Sequence, residues 1–125
     1  MRLLIDTHIF LWAIQGSASL KSNIRRIMSE AEQVYVSAAS IWEIAIKARL
    51  GKVEVDAASL VEAIGESGFF ELPVRVGHAA GVAELPLLHS DPFDRLLVAQ
   101  AMAEPLKFLT ADPVLAQYSA LVMLI

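Results

Sequence analysis

Cysteine is absent from the 125 residues. That excludes disulfides, thiolate zinc sites and cysteine nucleophiles. No stretch reaches the roughly 18 uncharged apolar residues of a membrane-spanning helix, so no membrane partner is expected. Charge is scarce, at 19% of residues, and the 14 acidic side chains outnumber the 10 basic ones. A general polyanion binder is basic overall, so any contact with nucleic acid must run through a local basic patch. The glycines form neither G-x-G-x-x-G nor a P-loop, because Gly51-Lys52 lacks the upstream glycine. There is no G-x-S-x-G elbow for a serine hydrolase. A haloacid-dehalogenase-type phosphatase needs a second aspartate where His8 stands. His8, His78 and His89 lack H-E-x-x-H spacing and read as packing or surface residues, though His8 and His89 flank the acidic positions discussed below and are placed for a minor supporting role there.

What the chain has is apolar residues, 56% of the total. Arg2 followed by a mostly apolar stretch to Ile14 has the outline of a signal peptide. Asp6 and His8 inside it are unfavourable for export, so the segment reads as a buried strand and a helix, and the location as cytoplasmic. Strands are expected at Leu3-Leu4-Ile5, Val34-Tyr35-Val36, Phe69 to Val74, Phe108-Leu109 and Leu121 to Ile125. Helices are expected from Ile9 to near Gly16, along the stripe Leu20, Ile24, Ile27, Met28 and Ala31, from Ser37 or Ser40 to near Gly51, from Asp56 to Gly68, weakly over 75–85, and from Asp91-Pro92 to about Ala103. Asp112-Pro113 opens one more short helix. Alternating strands and helices predict an α/β chain: a single domain over residues 1–125, a three-layer α/β/α sandwich around a mostly parallel sheet of roughly five strands.

In a parallel sheet all strands end at one edge, where open α/β folds bind ligands. Asp6 follows the first strand and Asp112 the fourth. Glu43 lies near the start of the helix after the second strand, and Asp91 and Asp94 begin the helix leading into the fourth. Each acid also has a plain structural explanation. Asp91-Pro92 and Asp112-Pro113 are good helix caps, Ser40-Ile41-Trp42-Glu43 matches a capping box, and Asp6 can cap the next helix. Together, however, several carboxylates in one cleft repel one another and ask for a cation. Oxygen donors without cysteine or paired histidines favour Mg²⁺ or Mn²⁺, and such a site suits phosphodiester hydrolysis. Thr7 and Thr110, beside Asp6 and Asp112, are placed to bond phosphate, water or a carboxylate. Lys47, Arg49 and Arg95 are placed to approach a nucleic-acid backbone or to sit on solvated helix faces.

The stretches Leu3 to His8, Val36 to Ile44, Asp91 to Ala101 (Asp-Pro-Phe-Asp-Arg-Leu-Leu-Val-Ala-Gln-Ala) and Leu109 to Asp112 resemble, in order, the motifs of PIN-domain proteins. More narrowly they resemble the VapC-type toxins of bacterial and archaeal toxin–antitoxin pairs. The resemblance implies a Mg²⁺- or Mn²⁺-dependent endoribonuclease with Asp6, Glu43, Asp94 and Asp112 as its catalytic and metal-binding acids. Thr7, Arg95 and Thr110, from their places beside these acids, and Asp91, an extra acid, are expected as supporting residues. The resemblance also implies an RNA substrate, a cognate antitoxin and a homodimer. The apolar excess and the Leu20/Ile24/Ile27/Met28 stripe point the same way, to self-association and a groove near the acidic edge for an apolar antitoxin segment. The competing reading is a non-catalytic binding module of the same fold whose acids serve only as helix caps.

Overall fold

A computed structural model describes residues 1–125. The sheet is built from β1 (Arg2–Ile5), β2 (Gln33–Ser37), β3 (Phe70–Leu72), β4 (Lys107–Thr110) and β5 (Val122–Leu124). The strand order is β3-β2-β1-β4-β5, and every pairing is parallel. The helices are α1 (Thr7–Gln15), α2 (Ser22–Glu30), α3 (Ala38–Arg49), α4 (Ala57–Glu66), α5 (Val76–Gly81) and α6 (Pro92–Ala103).

β1 is central, and Leu3, Leu4 and Ile5 are wholly buried, as an unbroken apolar run should be when both sheet faces are covered. Alternate residues feed two cores. Leu3, Ile5, Val34, Val36 and Leu109 pack with Ile9, Phe10, Ile24, Ile44, Leu60 and Ile64 from α1 to α4. Leu4 and Phe108 pack with Leu97, Val98, Ala101 and Leu115 on the other face. The chain runs from β1 out to β3, then returns past β1 to β4. Crossovers of one hand place their helices on one face in the outward direction and on the other on return. Hence α1 to α4 cover one face, α5 and α6 the other, and three layers result.

Several expectations need correction. The Leu20/Ile24/Ile27/Met28 stripe faces the chain's own core: Leu20 and Ile24 are buried, and Ile27 and Met28 pack against them. It leaves no sticky face, because α2 has a single apolar side to hide. The exposed large apolar residues are instead Trp42, Leu50, Val61, Val76 and Leu87, among others. Ser37 caps α3, its hydroxyl accepting from Ala39 N at 3.0 Å. Ser40 therefore sits within the first turn, and Ser40 to Glu43 is no capping box. After Asp112-Pro113 the chain forms a 3-10 turn at Leu115–Gln117 rather than an α-helix.

Gly16 ends α1 with φ 61°, its N–H bonded to Trp12 O. Gly65 lies inside α4 with open space where a Cβ would go. The two alanine substitutions should act in opposite directions. Gly16→Ala should lose about 1–2 kcal/mol by forcing a side chain into the left-handed region. Gly65→Ala should gain roughly 0.5–1 kcal/mol from helix propensity. Urea denaturation of both variants measures the signs.

Candidate metal centre

The sheet order reverses at β1, and the crevice between β1 and β4 is the place where open α/β sheets hold ligands. Asp6 leaves β1 at that point. Its N–H donates to Leu109 O of β4 at 3.1 Å. Its Oδ1 accepts from Ile9 N at 2.9 Å, capping α1, and its Oδ2 accepts from Thr110 Oγ1 at 2.7 Å. The residue is 5% exposed. Burial pushes its carboxyl above the ordinary range, against the pull of these two hydrogen bonds.

Glu43 enters from the second turn of α3 and is likewise 5% exposed. Its Oε2 takes a 2.8 Å ion pair from Lys47, four residues on along the helix. Its Oε1 is buried with no hydrogen-bond partner. A buried lone acceptor is costly, so this atom marks a place where a cation or donor belongs.

Asp94 is the third residue of α6. Burial pushes its carboxyl up to about 7, and the charges of Asp91, Glu43 and Asp6 add to the shift. Asp91 does different work: its Oδ1 accepts from Phe93 N at 2.8 Å and Asp94 N at 3.2 Å, the bonds of an N-cap. Asp112 divides its oxygens, with Oδ1 accepting from Val114 N at 3.0 Å and Oδ2 lying 2.8 Å from His89 Nε2. Ligand atoms of His89, Asp94 and Asp112 all lie within 4.8 Å of one another. Asp6, Asp94 and Asp112 line one cleft of about 300 Å³ with His8, Trp12, Ala111 and Leu115.

The four expected acids thus meet at one edge, with Asp94 the link. It shares the cleft with Asp6 and Asp112 and is also near enough to Glu43 to feel its charge. The supporting residues divide. Thr110 holds Asp6, whereas Thr7 donates its hydroxyl to Ser40 at 2.9 Å, a buried tie between α1 and α3. Arg95 does not face a nucleic acid. It is 9% exposed, and its guanidinium donates to Pro86 O at 2.9 Å, Val82 O at 3.2 Å and the Tyr118 hydroxyl at 3.2 Å. A planar fork of donors suits a loop that turns several carbonyls inward. Lys47 is spent on Glu43, and Arg49 is exposed. His78 is the packed histidine that its apolar surroundings suggest. His89, by contrast, belongs to the site, and the only signal in the sequence was its place two residues before Asp91.

The donor set fits a hard divalent cation. It offers carboxylate oxygens, an orphaned Glu43 Oε1, and an Asp94 carboxyl that its neighbours hold partly neutral. Helix caps explain Asp6, Asp91 and Asp112 but leave Glu43 and Asp94 unexplained. Glu43, Asp94, Asp6 and Asp112 are the residues that would hold the ion.

The two neighbouring aspartates should behave oppositely. Asp91→Ala should cost about 0.5–2 kcal/mol, the usual loss of a cap, and Asp91→Asn little. For Asp94, the folded chain keeps a proton that the unfolded chain releases above about 3.8. On this account metal-free protein should lose stability as pH rises from there to about 7, and the raised Asp6 carboxyl acts in the same direction. Asp94→Asn should flatten that slope. Urea titrations at a series of pH values in EDTA check both.

The fold and its cleft have known counterparts. Similar solved structures include VapBC2 from Rickettsia felis bound to a promoter DNA fragment, with a TM-score of 0.70 at 17% identity over 100% of this chain and 98% of that one. A toxin–antitoxin complex from Klebsiella pneumoniae gives 0.69 at 15% identity, covering 97% and 95%. FitAcB from Neisseria gonorrhoeae gives 0.64 at 16%, covering 97% and 96%. No curated protein matches the sequence. The PIN domain family description, however, matches residues 3–121. With its parallel five-stranded sheet and its acids gathered where β1 and β4 part, the chain belongs to the PIN domain family.

Proposed function

We propose that this protein is a Mg²⁺- or Mn²⁺-dependent endoribonuclease, acting as the toxin of a toxin–antitoxin pair in the cytoplasm. The observation that carries the reading is the buried, unpartnered Glu43 Oε1 in an acidic site whose Asp94 carboxyl is pushed up to about 7. No bond within the protein compensates the Glu43 oxygen or the crowding of carboxylates around Asp94, and a bound cation would compensate both. Family membership and the toxin–antitoxin complexes among the similar structures support the same reading.

A divalent ion in this site supplies Lewis acidity toward a phosphoryl oxygen and lowers the pKa of water. The chain supplies position. Ile9 N and Thr110 Oγ1 fix both oxygens of Asp6. Lys47 neutralises Glu43 Oε2 and leaves Oε1 unpartnered, the oxygen that would take the ion. Asp94, free of any cap bond of its own, is the carboxylate that orients the attacking water and accepts its proton. The exposed His8 and the half-buried Trp12 line the cleft, where an imidazole and an indole suit a phosphate and a base.

The partners in this reading are RNA, an antitoxin and a second copy of the chain. An apolar groove of about 280 Å³, lined by Trp42, Ala79, Val82, Pro92, Phe93 and Leu96, supports the last. Trp42 stacks edge-on against Phe93 at 4.9 Å, yet stays 61% exposed. Large exposed aromatics are characteristic of interface anchors.

Purified protein should cleave RNA with Mg²⁺ or Mn²⁺ and stop in excess EDTA. Asp6→Asn, Glu43→Gln and Asp94→Asn should each lower the rate on the order of 100-fold or more, because a catalytic ion is worth several kcal/mol. Full cleavage in EDTA would refute the metal mechanism. Metal-responsive folding without cleavage of structured or unstructured RNA would instead favour a binding module. Sedimentation at about tens of micromolar, the range of weak interfaces, should show a dimer that Trp42→Glu converts to monomer.

A further inference from the structure

The half-buried His89 is tied at three points, two on its ring and one on its backbone. Its backbone N–H donates to the Tyr118 hydroxyl at 2.9 Å. Its Nδ1 accepts from Asp91 N at 3.0 Å. A backbone N–H can only donate, so the ring proton must sit on Nε2. That Nε2–H then donates to Asp112 Oδ2 at 2.8 Å, while Asp94 Oδ2 lies farther away at 3.8 Å. Tyr118 is itself held by Arg95 at 3.2 Å, so the His89 backbone is anchored to the same buried guanidinium that closes the 82–86 segment.

Asp112 needs such a partner. It leaves β4 beside a short 3-10 turn rather than a full helix, and its side chain is 35% exposed. One bond, to Val114 N, leaves the carboxylate free to turn about its own axis. The second, from His89, fixes the carboxylate plane next to Asp94. We propose that His89 is the positioning residue of this site: its Nε2–H orients Asp112 toward Asp94 for the cation, and the ring itself is not a ligand. The proposal rests on the metal-centre reading above. Partners that orient a ligating carboxylate typically contribute 10–100-fold to metal affinity.

Two amides separate the ring's two bonds. The Asn oxygen falls near the place of Nδ1, so His89→Asn keeps the acceptor for Asp91 N and loses the donor to Asp112. The Gln nitrogen falls near Nε2, so His89→Gln keeps the donor and loses the acceptor. Calorimetric titration of Mn²⁺ into the purified full-length chain reads the difference, with circular dichroism reporting the fold. His89→Asn should bind Mn²⁺ about 10–100-fold more weakly than wild type, and His89→Gln should recover most of that loss. Wild-type affinity in a folded His89→Asn overturns the proposal. Equal loss in both folded variants also overturns it, and makes His89 a ligand. If His89→Asn does not fold, His89→Gln decides alone: affinity near wild type supports positioning, and a loss of about tenfold or more, the lower end of that range, overturns it. A wild-type chain that binds no Mn²⁺ overturns the metal-centre reading itself, and this proposal with it. That result is separate from any change confined to the variants.

Discussion

The arrangement depends on holding the Asp6 charge at the end of the central strand. Asp6 follows the wholly buried Leu3-Leu4-Ile5 run and is itself buried, where an ionised carboxylate is expensive. Two bonds offset part of that cost, Ile9 N to one oxygen and Thr110 Oγ1 to the other, while a third, from its amide to Leu109 O, holds its backbone. The same three bonds start α1, pin β1 against β4, and open the crevice between them. Strand pairing, helix initiation and the position of the site share one residue.

Around that anchor the remaining charges are arranged by rigid supports rather than by free side chains. Arg95 draws together the carbonyls of the 82–86 segment and the Tyr118 hydroxyl, giving the edge beside α6 a fixed wall. Asp91 starts α6 and so aims Asp94. On the far side of α6 a second buried network links Ser37 to Gln100 at 2.6 Å, and His78 to Glu104 at 2.5 Å. These contacts fasten α6 to β2 and α5. What is left without internal compensation is small and local: Glu43 Oε1 and the Asp94 carboxyl. Natural chains leave such groups unsatisfied mainly at functional sites.

Much of the layout was legible in the residues. Asp91-Pro92 marks the start of α6 because proline at the first helical position loses no hydrogen bond. The unbroken run Leu3-Leu4-Ile5 signals a strand covered on both faces, and it proves to be the sheet's centre. The Asp6, Glu43, Asp94 and Asp112 grouping followed from parallel topology and from the PIN resemblance. Less legible was anything that depends on partners distant in sequence. The Leu20 to Met28 stripe is equally good as an external or internal face, and only the packing of α2 on the sheet shows that it is internal. Arg95 beside Asp94 looks like a cation for a backbone phosphate until the carbonyls of Pro86 and Val82 are found around it.

The sequence by itself determined the periodicities, the caps and the edge to which the acids go. These are set by local backbone chemistry and by the rule that parallel strands end together. The tertiary structure alone decided which acids are occupied by the protein's own bonds and which are left over. It gave Asp6 its Thr110 and Asp112 its His89, and it left Oε1 of Glu43 with nothing while Lys47, one turn along the same helix, took the other oxygen. Desolvation and pairing are properties of three-dimensional surroundings, since the groups that satisfy or repel a carboxylate here come from as far as 104 residues along the chain.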